Sequence, residues 1–125
     1  MLRRTKIHPA PSLGQLTEQH AKHYLLSQGL TFVAENVRYK FGEIDLVMRE
    51  QSHIIFVEVR YRRSVYYGGA IESISPGKRE RLLKAANAWL QKYDKSQQLI
   101  CRFDLIAFSG DIDKIRCQWL KNIFQ

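Results

Sequence analysis

A chain of 125 residues with 20 basic and 12 acidic side chains, net +8, is one domain with room for a core. That charge points to a polyanionic partner, nucleic acid ahead of a membrane surface, because no strongly amphipathic basic helix accompanies it. No stretch approaches a membrane span, and Cys101 and Cys117 lack metal-ligand or dithiol spacing, so the sequence reads as cytoplasmic with reduced thiols.

Residues 1–11 read as a flexible basic arm (Arg3, Arg4, Lys6) broken by Pro9 and Pro11; no apolar run follows to make it a signal peptide. A single domain over residues 12–125 comes next. Ser12 caps a helix, Gln15 completes a capping box, and the helix runs to about Gln28 with Gly29 as its C′ residue. Its apolar stripe is Leu13, Thr17, Ala21, Tyr24 and Leu25. Glu18 lies at the margin of that stripe. It is either an edge residue whose head reaches solvent or an acid aimed inward. His20 and His23 imply no third ligand and read as surface residues, and His8 and His53 fall in no pattern. A first strand over 31–39 ends at Arg38, Tyr39 and Lys40, and Gly42 turns the chain back.

The next two strands, 42–49 and 53–61, are apolar apart from interior carboxylates, Asp45 and Glu58. Strict alternation puts Ile44, Leu46 and Met48 on one face, and Ile55, Val57 and Val59 on the matching face of the partner. A hairpin with an even loop then pairs Ile44 with Val59, Leu46 with Val57 and Met48 with Ile55, and sets Asp45 opposite Glu58. A slip of one residue would bury a charge on the apolar side, so the even register is favoured. Like charges directly opposite are destabilising and need an offset. Either Arg60 and neighbouring bases neutralise a structural pair, or the pair holds a divalent ion such as Mg²⁺.

The loop Arg62-Arg63-Ser64-Val65-Tyr66-Tyr67-Gly68-Gly69 mixes bases, rings and glycines, which suits tracking phosphates and stacking on bases as well as a solvated connection. Ser75-Pro76 starts a second helix reaching about Tyr93, with Leu82, Ala85, Ala86, Trp89 and Tyr93 as its core stripe. Lys78 falls on the same stripe near the helix N-terminus, where the dipole disfavours a cation; it either snorkels to solvent or projects toward the carboxylates. A strand over 102–108 follows, joined to the Glu58 strand by a right-handed crossover and therefore parallel to it. A short fifth strand falls over 114–119, where Ile115, Cys117 and Trp119 alternate with Lys114, Arg116 and Gln118, before the tail 121–125. The result is an α/β protein with a mixed sheet flanked by helices, in the order α-β-β-β-α-β-β.

That order, with an acid on the first helix, Asp on the second strand and Glu-x-basic on the third, resembles the PD-(D/E)xK, restriction-endonuclease-like fold. More closely the chain resembles the YraN-type family of small bacterial proteins, distantly similar to archaeal Holliday-junction resolvases. The matching residues run over about 12–108: Gly14, Glu18 and Ala21; Leu26 and Gly29; Asn36; Gly42 to Leu46; Phe56 to Arg62; Gly68 to Ala70; Lys78; and Cys101 to Asp104. The resemblance implies that Asp45 and Glu58 hold Mg²⁺ or Mn²⁺ with the Val59 carbonyl, and that Glu18 supports or bridges to a second ion. Arg60 stands where the nuclease pattern wants lysine. An arginine stabilises negative charge but does not act as a base. Alternation also places Arg60 across from Glu43, a structural partner. Lys78 is then the residue expected to supply the ammonium.

Two functions follow: a metal-dependent endonuclease on DNA, at branched or non-duplex structures, or a nucleic-acid-binding module on the same fold that does not cut. A protein–protein adaptor using the tyrosine-rich loop has least support. Arg60, Arg62, Arg63, Tyr66, Tyr67 and Lys78 are the expected nucleic-acid contacts. Junction-cutting relatives in the wider fold act as dimers, so a homodimer is the assembly the resemblance implies.

Overall fold

A computed structural model describes residues 10–63 and 69–124. Arg3, Arg4, Lys6, His8, Tyr66 and Tyr67 therefore lie outside the described residues. The first helix, α1 (Leu13–Ser27), begins where a side chain can satisfy its free amides. The Ser12 hydroxyl accepts from Gln15 N–H at 3.2 Å, and the Gln15 side chain accepts from Ser12 N–H at 2.8 Å. It stops because Gly29 takes a φ of +94°, which lets Leu30 N–H return to the Leu25 carbonyl at 3.1 Å. The inward stripe is narrower than the sequence suggests. Thr17, Ala21 and Leu25 are buried, but Leu13 and Tyr24 are exposed at the stripe's margins.

Five strands form one sheet in the order β1-β2-β3-β4-β5: β1 (Thr31–Tyr39), β2 (Gly42–Glu50), β3 (His53–Arg62), β4 (Ile100–Ser109) and β5 (Arg116–Leu120). β3 and β4 are parallel and the other neighbours antiparallel. Helix α2 (Pro76–Tyr93) makes the parallel connection. β4 starts two residues earlier than the sequence reading. β5 starts two residues later, because a 3₁₀ turn occupies Ile112–Lys114.

Helices cover both faces of the sheet. Leu46, Met48, Ile55 and Val57 pack with Ala21 and Leu25 of α1. Phe56, Ile54 and Val47 pack with Leu82, Ala85, Ala86 and Trp89 of α2. Tyr93 does not join them; it is 58% exposed, lying against Trp89 at the last turn. Buried on both sides, β3 reads as a continuous apolar run into which Glu58 intrudes.

The far edge is fastened through Asp104, which is fully buried. Its carboxylate accepts from Arg102 Nε at 3.0 Å, Trp119 Nε1 at 2.9 Å and Asn122 N–H at 2.9 Å. The charge is paired and its lone pairs are used, the condition for tolerating it in a core. Ile123 N–H donates to the Phe103 carbonyl at 2.8 Å and Phe124 packs on the Phe103 ring, tying the tail to the sheet. Among the described residues no helix is long and apolar enough to cross a membrane.

Candidate active site

The central hairpin keeps its expected register from Glu50↔His53 through Met48↔Ile55 to Leu46↔Val57. The main-chain pairing then ends, although β2 continues to Gly42 and β3 to Arg62. The expected Ile44–Val59 and Asp45–Glu58 ladder pairs are not formed. A side chain has taken their place: Asp45 Oδ2 accepts from Val59 N–H at 2.8 Å. The N–H and carbonyl of a strand residue point to the same neighbour, so the Val59 carbonyl is directed at the same gap.

The alternation of β2 also breaks here. Leu46 and Met48 face α1, but Ile44 packs with Val47 and Phe56 on the α2 side. The expected face of Ile44, Leu46 and Met48 is thus corrected: Ile44 is on the opposite one. β1 inverts at the matching position. Glu35 pairs with Leu46 and Val37 with Ile44, and between them Asn36 takes a φ of +51°. Asparagine tolerates this left-handed conformation better than most residues. The two strands thus turn over together, which brings Asp45 into the opening rather than onto a face.

Glu58 projects toward α2, with its side chain 7% exposed. Two cations approach the same oxygen: Lys78 Nζ lies 3.8 Å from Oε1 and Arg60 Nη1 3.9 Å. Both are ion-pair distances beyond hydrogen bonding. The other oxygen, Oε2, is buried and has no hydrogen-bond partner among the described residues. Lys78 is placed by its helix start, where Ser75 Oγ accepts from Lys78 N–H at 3.1 Å and Pro76 occupies the first turn. The expected pairing of Arg60 with Glu43 is replaced: Arg60 approaches Glu58, and Glu43 pairs with Arg38 of β1 at 3.7 Å.

Burial pushes the Glu58 carboxyl up to about 7, and Asp45 adds to the rise while Lys78 and Arg60 oppose it. Asp45 is raised by burial too, and the Val59 N–H, Lys78 and Arg60 restrain it. Glu18, half-buried on α1, is raised by burial and then by Asp45, Glu43 and Glu35. Its neighbours are therefore Asp45 and the β1–β2 side. Among the described residues no three His, Cys, Asp or Glu side chains gather as ligands to one ion. The arrangement is a pair of carboxylates with one unsatisfied oxygen and a backbone carbonyl nearby. That hard-oxygen set fits Mg²⁺, which uses one or two carboxylates and completes its shell with water and phosphate.

An open pocket of about 440 Å³ fronts Glu58, lined also by Arg60, Tyr61, Ser73, Lys78 and Arg81 among others. Arg81 is a site residue the sequence reading missed. It stands three residues beyond Lys78 on α2, a spacing that shares a helix face. The same two cations line a second pocket of about 360 Å³ with Arg38, Lys40 and Phe41. Of the loop bases, Arg62 Nη1 donates to the Gly69 carbonyl at 2.9 Å, and Arg63 pairs with Asp111 at 3.3 Å in solvent.

The profile of the uncharacterised protein family UPF0102 matches residues 17–108. A UPF0102 protein of Shewanella baltica (strain OS155) is 50% identical over 113 residues, 90% of this chain and 99% of the relative. One from Alkalilimnicola ehrlichii is 44% identical over 126 residues, covering 99% and 97%. The UPF0102 protein YraN of Escherichia coli O8 is 46% identical over 112 residues, covering 89% and 82%.

Proposed function

The chain belongs to the UPF0102 family, and from that premise we propose that it is a metal-dependent endonuclease hydrolysing DNA phosphodiesters at branched or non-duplex structures. One observation carries this reading: the Oε2 of Glu58 beside Asp45, buried and without a hydrogen-bond partner among the described residues, at a pocket whose lining also holds Arg60, Lys78 and Arg81. An unpaired carboxylate oxygen held out of water costs free energy that a structural role does not return. A bound Mg²⁺ would supply charge stabilisation and a water of lowered pKa at the scissile phosphate.

The protein's own part is positioning. Asp45 and Glu58 would hold the ion with the Val59 carbonyl, and the bond from Val59 N–H fixes Asp45 for this. Lys78 presents its ammonium to the phosphate oxygens and donates to the developing charge. Arg60 stays charged and steadies the same oxygens without serving as a base. Glu18 supports the site from the Asp45 side.

A specific observation favours a second reading, a nucleic-acid-binding module that does not cut. Lys78 and Arg60 both sit on Glu58 Oε1, where they offset its charge without a metal. Calorimetric titration with Mg²⁺ and Mn²⁺ separates the two, run on the wild type and on Asp45→Ala/Glu58→Ala, with cleavage of labelled linear and branched DNA alongside. The nuclease reading expects metal binding and cutting by the wild type and neither by the double variant. Nucleic-acid binding with no metal uptake transfers the assignment to the module. Metal binding without cutting puts the fault at Arg60, and Arg60→Lys then tests whether cutting is restored.

A further inference from the structure

Beyond the carboxylates, the turn between β1 and β2 carries a pair of aromatic rings. Tyr39 and Phe41 are parallel, with an interplanar angle of 0° and centroids 5.4 Å apart. Tyr39 packs against the α2-side core, so its neighbour Phe41 is the outer ring of the stack, and Phe41 is 42% exposed. Arg38 and Lys40 flank Tyr39 in sequence and line a pocket with Phe41 and Glu43, and Lys78 and Arg81 line the same pocket. Those two cations also line the pocket in front of Glu58, so one basic path joins the rings to the carboxylates.

The turn is also held in place. A Cβ on Gly42 would lie 2.5 Å from the Arg81 carbonyl oxygen, so the tip of the hairpin rests directly on the α2 backbone. Rings on a seated turn are preorganised, and a flat ligand stacking there orders little else. An apolar planar face beside a line of cations suits a chain of planar bases joined by phosphates. In a duplex the base faces are already stacked on one another. Unpaired bases leave theirs free.

We propose that the Tyr39–Phe41 stack is a platform for an unpaired nucleobase, which lies on Phe41 while the adjoining phosphates cross Lys78 and Arg81 toward Glu58. This rests on the nucleic-acid reading above and narrows it to strands with an unpaired segment next to the site. Base–aromatic stacking contributes about 1–3 kcal/mol per base. Phe41→Ala should therefore weaken binding of a single-stranded oligonucleotide by about fivefold to a hundredfold, at about 1.4 kcal/mol per tenfold.

The test is fluorescence anisotropy with a labelled thymidine oligonucleotide and a blunt duplex of equal length, in chelator and again in Ca²⁺, so that cutting plays no part. Wild type should prefer the single strand, and Phe41→Ala should lose that preference while its duplex affinity stays within about twofold. Phe41→Trp should restore the preference, and its added emission should fall as the oligonucleotide binds. If Phe41→Ala binds both probes as wild type does, or weakens both equally, the platform is refuted and general nucleic-acid binding stands. If wild type binds neither probe, the broader reading fails with it.

Discussion

At Glu58 the burial that lifts the carboxyl to about 7 also sets how stability responds to acid. The unfolded chain releases this proton near 4.5, so between about 4.5 and 7 the folded protein holds a proton that the unfolded one has lost. The stabilisation is complete below about 4.5 and disappears as pH rises through 7. Asp45 and Glu18 are raised as well and act in the same sense. Metal-free protein should therefore melt at a higher temperature at pH 5.5 than at pH 7.5, Glu58 alone contributing on the order of 2 kcal/mol to the difference in stability, since one pKa unit is about 1.4 kcal/mol. Glu58→Gln should flatten most of that dependence in a calorimetric pH series; an unchanged slope would show that the group ionises freely. Neighbours give a signed check. Lys78→Met removes a charge that restrains Glu58 and should move its NMR titration midpoint up, whereas Asp45→Asn should move it down.

Between elements, two contacts set how the site is held, and two glycines on different elements separate their effects. Gly42→Ala drives a methyl into the Arg81 carbonyl and should cost roughly 1–3 kcal/mol in denaturant unfolding, as overpacking does. On α1, Gly14→Ala meets, among the described residues, only Ser12 Oγ at 3.8 Å and should stabilise, by a few tenths to about 1 kcal/mol. If both substitutions cost alike, the turn is not seated on α2. Asp104→Ala strips Arg102 and Trp119 of their buried acceptor and should cost roughly 3–5 kcal/mol, with early hydrogen exchange in β5 and in residues 121–124. Much of this architecture is legible in the sequence: Ser12, Gln15 and Gly29 mark α1, and apolar alternation fixes the hairpin register as far as Leu46↔Val57. The inversion at Asn36 and Asp45 is not legible, because alternation assumes a regular pleat and the kink arises when a carboxylate displaces a ladder bond. Phe41 escapes notice for a related reason. A ring in a turn looks like any exposed residue until Gly42 is seen pressed against another element. Lys78 is legible on its helix stripe, and the same helical spacing makes Arg81 readable in hindsight.

Across the whole molecule, a charge of +8 and a basic path from Arg38 and Lys40 past Lys78 and Arg81 to Arg60 make any nucleic-acid complex sensitive to counterions. Binding should weaken steeply between about 50 and 200 mM salt, and Lys40→Gln or Arg81→Gln should each reduce the log–log slope by about 1. A salt-insensitive complex would point instead to protein–protein contact. The distortions of β1 act on this same scale. β1 is an edge strand, with a register shift between Phe32 and Ala34 and a left-handed residue at Asn36. A flat outer strand offers a template onto which other chains add, and bulges remove it. The irregularities that aim Asp45 into its opening therefore also guard the sheet against growing, strand by strand, into an aggregate.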